Sequence, residues 1–206
     1  MPIRGVIFDF GGVIFNMRWD VARDLEDAHN LERRTLVRTL YDNDEWRAVQ
    51  VGAGDIDAWR EGAHRRLEEA AGRSLPPLHE QWRQAWGPIA ENVELIRSLR
   101  GPYRVSILSN ADANLEVRLR DGFGIHHLFD DVISSAAVGL AKPDLAIYRL
   151  AAERLGLPTE QCVFIDDAEA NVEAARETGM AAVHFIVDRG HNLREQLSEL
   201  GVRANG

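Results

Sequence analysis

From Asn92 onward, the 206-residue chain alternates short, apolar, β-forming runs with helical stretches. Residues 104–108, 131–133, 162–165 and 181–185 read as strands. Helices are expected over 93–99, 112–120, 145–155, 168–177 and 193–200. Asp144 is placed to cap the third of these, and Gly156 and Pro158 supply its stop signals. Strands that alternate with helices imply βαβ units and a parallel sheet, hence an α/β fold. Right-handed crossovers then bring the C-terminal ends of all the strands to one edge.

An earlier run belongs to the same sheet. Val6-Ile7-Phe8 leads into Asp9, and Gly11 and Gly12 follow at once. The short apolar run suggests a strand buried on both faces. The glycine pair marks a tight turn whose backbone can approach a ligand. Asp9 therefore sits at the edge where open α/β sheets bind ligands.

Between this strand and the alternating region, residues 16–99 carry helical patterns only. Ile56, Trp59, Ala63, Leu67 and Ala70 fall on one helix face, and Asp55 is a plausible N-cap for it. Leu25, Leu31, Leu36 and Leu40 suggest earlier helices, and Trp82 and Trp86 lie four apart on another. Breaks fall at 52–55, 73–77 and 87–88. All five tryptophans (Trp19, Trp46, Trp59, Trp82 and Trp86) lie in this stretch. They can hold a helical bundle together, and one or two of them can line a pocket facing Asp9.

A net charge of −9 argues against a general affinity for nucleic acid. It also means that an anionic substrate needs local positive charge from a metal, a lysine or helix N-termini. Cys162 is the only cysteine, so no intrachain disulfide exists, and its place in an apolar run suggests a buried structural thiol. No run approaches the ~18 apolar residues of a membrane span. The N-terminus leads straight into a strand, with no apolar leader. A cytoplasmic protein with no obligate protein partner is expected.

The shared edge collects Asp9, Ser109-Asn110, Ser134-Ser135 with Lys142 beyond, and Asp166-Asp167. Clustered carboxylates repel unless a cation binds them, and hard oxygen ligands suit Mg²⁺. A metal-bound aspartate can attack phosphorus as a covalent nucleophile. The lysine, the hydroxyl–amide pair and nearby backbone N–H groups can hold phosphoryl oxygens. No His or Cys stands among these strand-end residues, which disfavours serine-hydrolase triads and zinc sites.

The segments VIFDFGGVIF, ILSN, SSAAVGLAKPDLAIY and FIDDAEANVEAARETGM resemble, in order, the four motifs of the haloacid dehalogenase-like (HAD) superfamily. The likeness is closest to subfamily I members with a double-Asp fourth motif, such as the phosphatase domain of soluble epoxide hydrolase and bacterial sugar-phosphate phosphatases. It implies a Rossmann-like core (1–15 and 88–206) with an inserted α-helical cap (16–87), hinged near 16–18 and 87–88. It further implies that Asp9 is the nucleophile and that Lys142 balances charge on Asp9 and the phosphoryl group. Ser109, Asn110 and the turn at Gly12 would meet the substrate. Asp9, the carbonyl of Gly11, and Asp167 with its neighbour Asp166 would hold Mg²⁺, and Asn171 would stand close by. The implied activity is phosphomonoester hydrolysis of a small phosphometabolite. A wall of Trp19, Trp46 and Trp59 also suits a sugar, so a sugar phosphate is one candidate.

One position departs from the family. Its phosphatases usually carry a second aspartate two residues after the nucleophile, as general acid and base. Here that residue is Gly11. General acid–base catalysis is typically worth about 10²–10⁴-fold. Three outcomes are therefore open: a phosphatase that manages without this acid, other HAD chemistry such as dehalogenation, or a poorly active protein that binds a phosphorylated ligand. Dehalogenases of the family place a tyrosine at this position and need no metal, so the double carboxylate favours the phosphatase.

Overall fold

The computed structural model describes residues 1–203. The main sheet comprises β1 (Gly5–Phe8), β4 (Arg104–Ser109), β5 (Asp131–Ser134), β6 (Cys162–Asp166) and β7 (Ala181–His184). Its order is β5-β4-β1-β6-β7, and every pairing is parallel. β1 is central: Phe8 pairs with Ile107 on one side and Ile165 on the other. The ends of β1, β4 and β6 are thereby in register, and that places Asp9, Ser109 and Asp166 side by side.

Side chains on a strand alternate between faces. Val6 and Phe8 join one core with Val105, Ile107, Val163 and Ile165, covered by α6 (Ala90–Leu99) and α11 (Leu193–Glu199). Ile7, Leu108 and Phe164 join the other, covered by α9 (Leu145–Arg154) and α10 (Glu169–Glu177). Cys162 is buried in this second core, as expected of a structural thiol. Asp144 caps α9 by accepting from the Ala146 N–H at 2.9 Å.

Five helices lie between β1 and α6: α1 (Trp19–Ala28), α2 (Thr35–Tyr41), α3 (Asp44–Val49), α4 (Ile56–Ala71) and α5 (Leu78–Gln84). They share a third core of their own, built on Leu36, Trp59, Leu67, Leu78 and Trp82. Asp55 caps α4 by accepting from the N–H groups of Asp57 and Ala58. The chain enters and leaves this helical unit along an antiparallel ribbon, where β2 (Phe15–Asn16) pairs with β3 (Gly87–Pro88). The Trp82 indole N–H donates to the carbonyls of Met17 (2.6 Å) and Arg18 (3.0 Å), pinning α5 to the segment between β2 and α1. Arg23 of α1 reaches Asp188 of the main body at 3.4 Å.

Two local expectations fail. The helix expected over 112–120 shrinks to α7 (Leu115–Val117), followed by a wide turn over Arg118–Gly122. The Asp112 carboxylate accepts from the Asn114 N–H and from Arg118, so it competes with regular helix hydrogen bonding. Trp86 lies beyond the end of α5 rather than on it. The chain must become extended there to form β3, and Pro88 restricts the residue before it to extended backbone.

Candidate active site

The ends of β1, β4 and β6 and the loop that carries Lys142 contribute the parts, whereas Ser134 and Ser135 at the end of β5 donate to the Ala111 carbonyl instead. Asp9 follows β1, and its N–H donates to the carbonyl of Ile165 on β6, which locks it beside the neighbouring strand end. Only 8% of Asp9 is exposed. Oδ1 of its carboxylate takes the Phe10 N–H at 2.7 Å and Lys142 Nζ at 2.9 Å, which leaves Oδ2 available for chemistry. Lys142 Nζ also reaches Asp166 Oδ2 at 2.6 Å, so one buried ammonium bridges two carboxylates.

The lysine is held at both ends. The Asn110 side chain donates to the Lys142 carbonyl (2.9 Å) and accepts from the Lys142 N–H (2.8 Å). Asn110 is thus spent on positioning Lys142, a role not visible across the 32 residues that separate them. Asp166 is fully buried, and chain partners meet both of its oxygens: Lys142, the Ala168 N–H and the Asn171 amide. Asn171 therefore braces Asp166, donating to both of its oxygens at 3.1 Å.

Asp167 differs from its neighbour. It is only partly buried, and its carboxylate lies against Gly12, where an ideal Cβ would stand 2.2 Å from Asp167 Oδ2. Gly12 also has a left-handed φ of 81°, so both conformation and space require glycine there. Gly11 has no such constraint; a Cβ there would make ordinary contact with Met17 at 3.5 Å.

Carboxylate oxygens of Asp9, Asp166 and Asp167 come within 4.8 Å of one another. Burial pushes the Asp9 carboxyl up to about 6, against the pull of Lys142. Burial, reinforced by the charges of Asp9 and Asp166, pushes Asp167 up to about 7. Burial opposes the charge on Lys142, but Asp166 and Asp9 outweigh it and hold the ammonium above its ordinary range. Burial thus disfavours the charged forms of Asp9 and Asp167, and a hard divalent cation on oxygen ligands would offset that cost. The donor set fits Mg²⁺.

In front of these groups a cavity of about 860 Å³ separates the sheet edge from the helical unit. Asp9, Gly11, Ser109, Asn110, Lys142 and Asp167 line its floor. Trp46 and Trp59 line its roof, as the tryptophan pattern suggested, and Tyr41 joins them. Trp19 reaches this cavity too, but packs against Trp82. Phe10, Phe15 and Phe123 also line it, and the sequence reading missed all three. Phe10 and Phe15 bracket the glycine turn, which was the available signal; Phe123 lies in the stretch expected to follow a helix.

The haloacid dehalogenase-like hydrolase family model matches residues 3–179. The chain is a haloacid dehalogenase-like hydrolase. Among the relatives of this hydrolase, the sesquiterpene phosphatase astK of Aspergillus oryzae is 28% identical over 188 residues, covering 88% of this chain and 89% of that protein. The fructose-1-phosphate phosphatase YqaB of Escherichia coli is 31% identical over 91 residues, covering 44% and 48% respectively. Among solved structures, the HAD-family enzyme BT-2542 of Bacteroides thetaiotaomicron, in complex with magnesium and inorganic phosphate, matches with a TM-score of 0.68. That likeness covers 94% of this chain and 98% of that one at 19% identity, and it shows the shared fold. No helix among the described residues is long and apolar enough to cross a membrane.

Proposed function

We propose that this HAD hydrolase is a Mg²⁺-dependent phosphatase that cleaves a small phosphomonoester through an aspartyl-phosphate on Asp9. The observation that carries the reading is the Lys142 bridge: Nζ lies 2.9 Å from Asp9 and 2.6 Å from Asp166, beside the partly exposed carboxylate of Asp167. The phosphatase relatives and the magnesium–phosphate complex of a structural neighbour support it.

Asp9 Oδ2 attacks phosphorus, the bond to the ester oxygen breaks, and the alkoxide takes a proton from water. A second water then attacks the phosphorus of the aspartyl-phosphate, giving its proton to the hydroxide left by the first, and this releases phosphate and restores the Asp9 carboxylate. Lys142 holds Oδ1 and offsets charge on the phosphoryl oxygens, and Ser109 lies beside the attacking group at the pocket floor. Asn110, Asp166 and Asn171 position the lysine. Mg²⁺, held by Asp9, Asp167 and the Gly11 carbonyl, would supply charge neutralisation for the phosphoryl group. Asp167 is the direct carboxylate partner in this reading, because the oxygens of Asp166 are already engaged.

The helical unit, residues 16–87, acts as a cap that excludes water and opens about the β2–β3 ribbon for release. A cytoplasmic location belongs to the same reading. Gly11 supports one competing reading, a weakly active protein that binds a phosphorylated ligand. A panel of phosphate esters, assayed with and without Mg²⁺, separates the two. Metal-dependent phosphate release that Asp9→Asn abolishes is the expected result; tight binding without turnover across the panel would sink the phosphatase.

A further inference from the structure

The cavity is far larger than a phosphoryl group, and its walls differ from its floor. On the core side, Phe10 stacks on Phe15 at 5.2 Å between ring centroids, and Phe123 packs on both, at 5.7 and 4.9 Å. On the cap side, Trp46 packs on Trp59 at 4.8 Å and edge-on against Tyr41 at 5.2 Å. These two aromatic groups line the same space above Asp9. Of the charged residues that share it above the floor, Arg60, Glu80 and Arg83 are exposed, and Arg118 is paired with the buried Asp112 at 2.8 Å.

A sugar needs hydrogen-bond partners for each hydroxyl as well as a stacking face. The phenylalanines offer none. The Trp59 indole N–H is committed to the Leu40 carbonyl at 2.7 Å. The aromatic rings turn edges and tilted faces toward one another, which builds a wall rather than one flat platform. Phe123 keeps 37% of its surface exposed although it packs on two other rings, so apolar area is still available at this place. Water against such walls is released when hydrocarbon replaces it.

The geometry points to a phosphomonoester with a hydrocarbon body as the substrate: its phosphate at Asp9, its chain between the Phe10–Phe15–Phe123 cluster and the Tyr41–Trp46–Trp59 cluster. This assignment rests on the phosphatase reading of the same site and narrows it away from sugar phosphates.

A homologous series of n-alkyl phosphates, ethyl to decyl, tests it with Mg²⁺ present, because the leaving group stays chemically constant while the apolar length grows. Glucose 6-phosphate serves as the polar comparator. The kcat/KM should rise up to about fourfold for each methylene buried. The affinity of non-hydrolysable n-alkylphosphonates, followed by tryptophan fluorescence, should rise in parallel. Trp46→Ala and Phe123→Ala, both at partly exposed positions, should lower the decyl-to-ethyl ratio. A profile flat in chain length for both turnover and binding, or a preference for glucose 6-phosphate, would overturn the assignment and leave the phosphatase standing. Chain-length-dependent phosphonate binding with no ester hydrolysed would uphold the apolar ligand class and overturn the phosphatase.

Discussion

The Asp167 carboxylate occupies the space beside Gly12 that any side chain on that glycine would need. Gly12→Ala should therefore act twice. The left-handed backbone costs a non-glycine residue about 1–2 kcal/mol, and Asp167 must move. A displacement of about 1 Å at a reacting site can cost 10²-fold in rate. Denaturant unfolding and kcat on one substrate check both effects; a variant with wild-type kcat would show that Asp167 need not stand where it does.

Gly11→Asp is the contrasting case. Its φ is ordinary and the space is open. The variant should fold, and should raise turnover of alkyl phosphates by up to about 10²-fold. Aryl phosphates such as p-nitrophenyl phosphate, whose leaving group needs little protonation, should gain far less. Equal gains across leaving groups would mean that protonation does not limit the rate.

Lys142→Met leaves Asp9 and Asp166 buried without their counter-ion. Breaking a buried pair in this way costs about 3–5 kcal/mol. Adding Asp166→Asn should recover part of that stability while activity stays lost. Urea midpoints of the two single variants and the double variant measure the coupling, and strictly additive losses would contradict the bridge.

Asp167→Asn removes one of three crowded carboxylates. Without metal it should be more stable than the wild type, since repulsion and carboxylate burial are both relieved. Adding Mg²⁺ should raise the melting temperature of the wild type, by about 2.7 kcal/mol of stability at a hundredfold excess over Kd. The variant should lose most of that response. Thermal melts with EDTA and with Mg²⁺ read both signs.

His79, on α5, supplies a pH dependence. It is 7% exposed, with Nε2 close to the Leu36 carbonyl and the Thr39 hydroxyl. Burial lowers its pKa from 6.5 to about 4, and Arg66 and His64 push the same way. Between those values the unfolded chain binds the proton and the folded chain does not, so this contribution to stability is lost as pH falls. From pH 7.5 to 5 the wild type should lose about 2 kcal/mol more than His79→Gln. Identical slopes for the two proteins would rule out this origin.

The strand ends were legible because β-forming runs and turn residues are local signals, and a parallel sheet must gather them at one edge. Asp9, Ser109 and Asp167 do gather at that edge, and Lys142 reaches Asp9 from the loop beyond it. The helix expected over 112–120 was not, because the Asp112 carboxylate bonds back into its own turn. Asp166 and Asp167 are adjacent in sequence, yet one is sealed beneath the lysine and the other lines the cavity. Side chains at the end of a strand point in opposite directions, and composition cannot tell which one faces in. The use of Asn110 on the Lys142 backbone, and the approach of Phe123 to Phe10, depend on loop paths that no local pattern encodes.

The β2–β3 ribbon brings the two ends of the helical unit together. Asn16 and Gly87 are direct partners across an antiparallel pair, so their Cα atoms are only about 5 Å apart. A short turn could join them, and a different insert could be spliced between the same two points. Asp9, Ser109, Asn110, Lys142, Asp166, Asp167 and Asn171 all lie outside that insert. A change confined to the insert would therefore rebuild the wall of Tyr41, Trp46 and Trp59 while these residues, and the facing wall of Phe10, Phe15 and Phe123, stay in the frame that holds them.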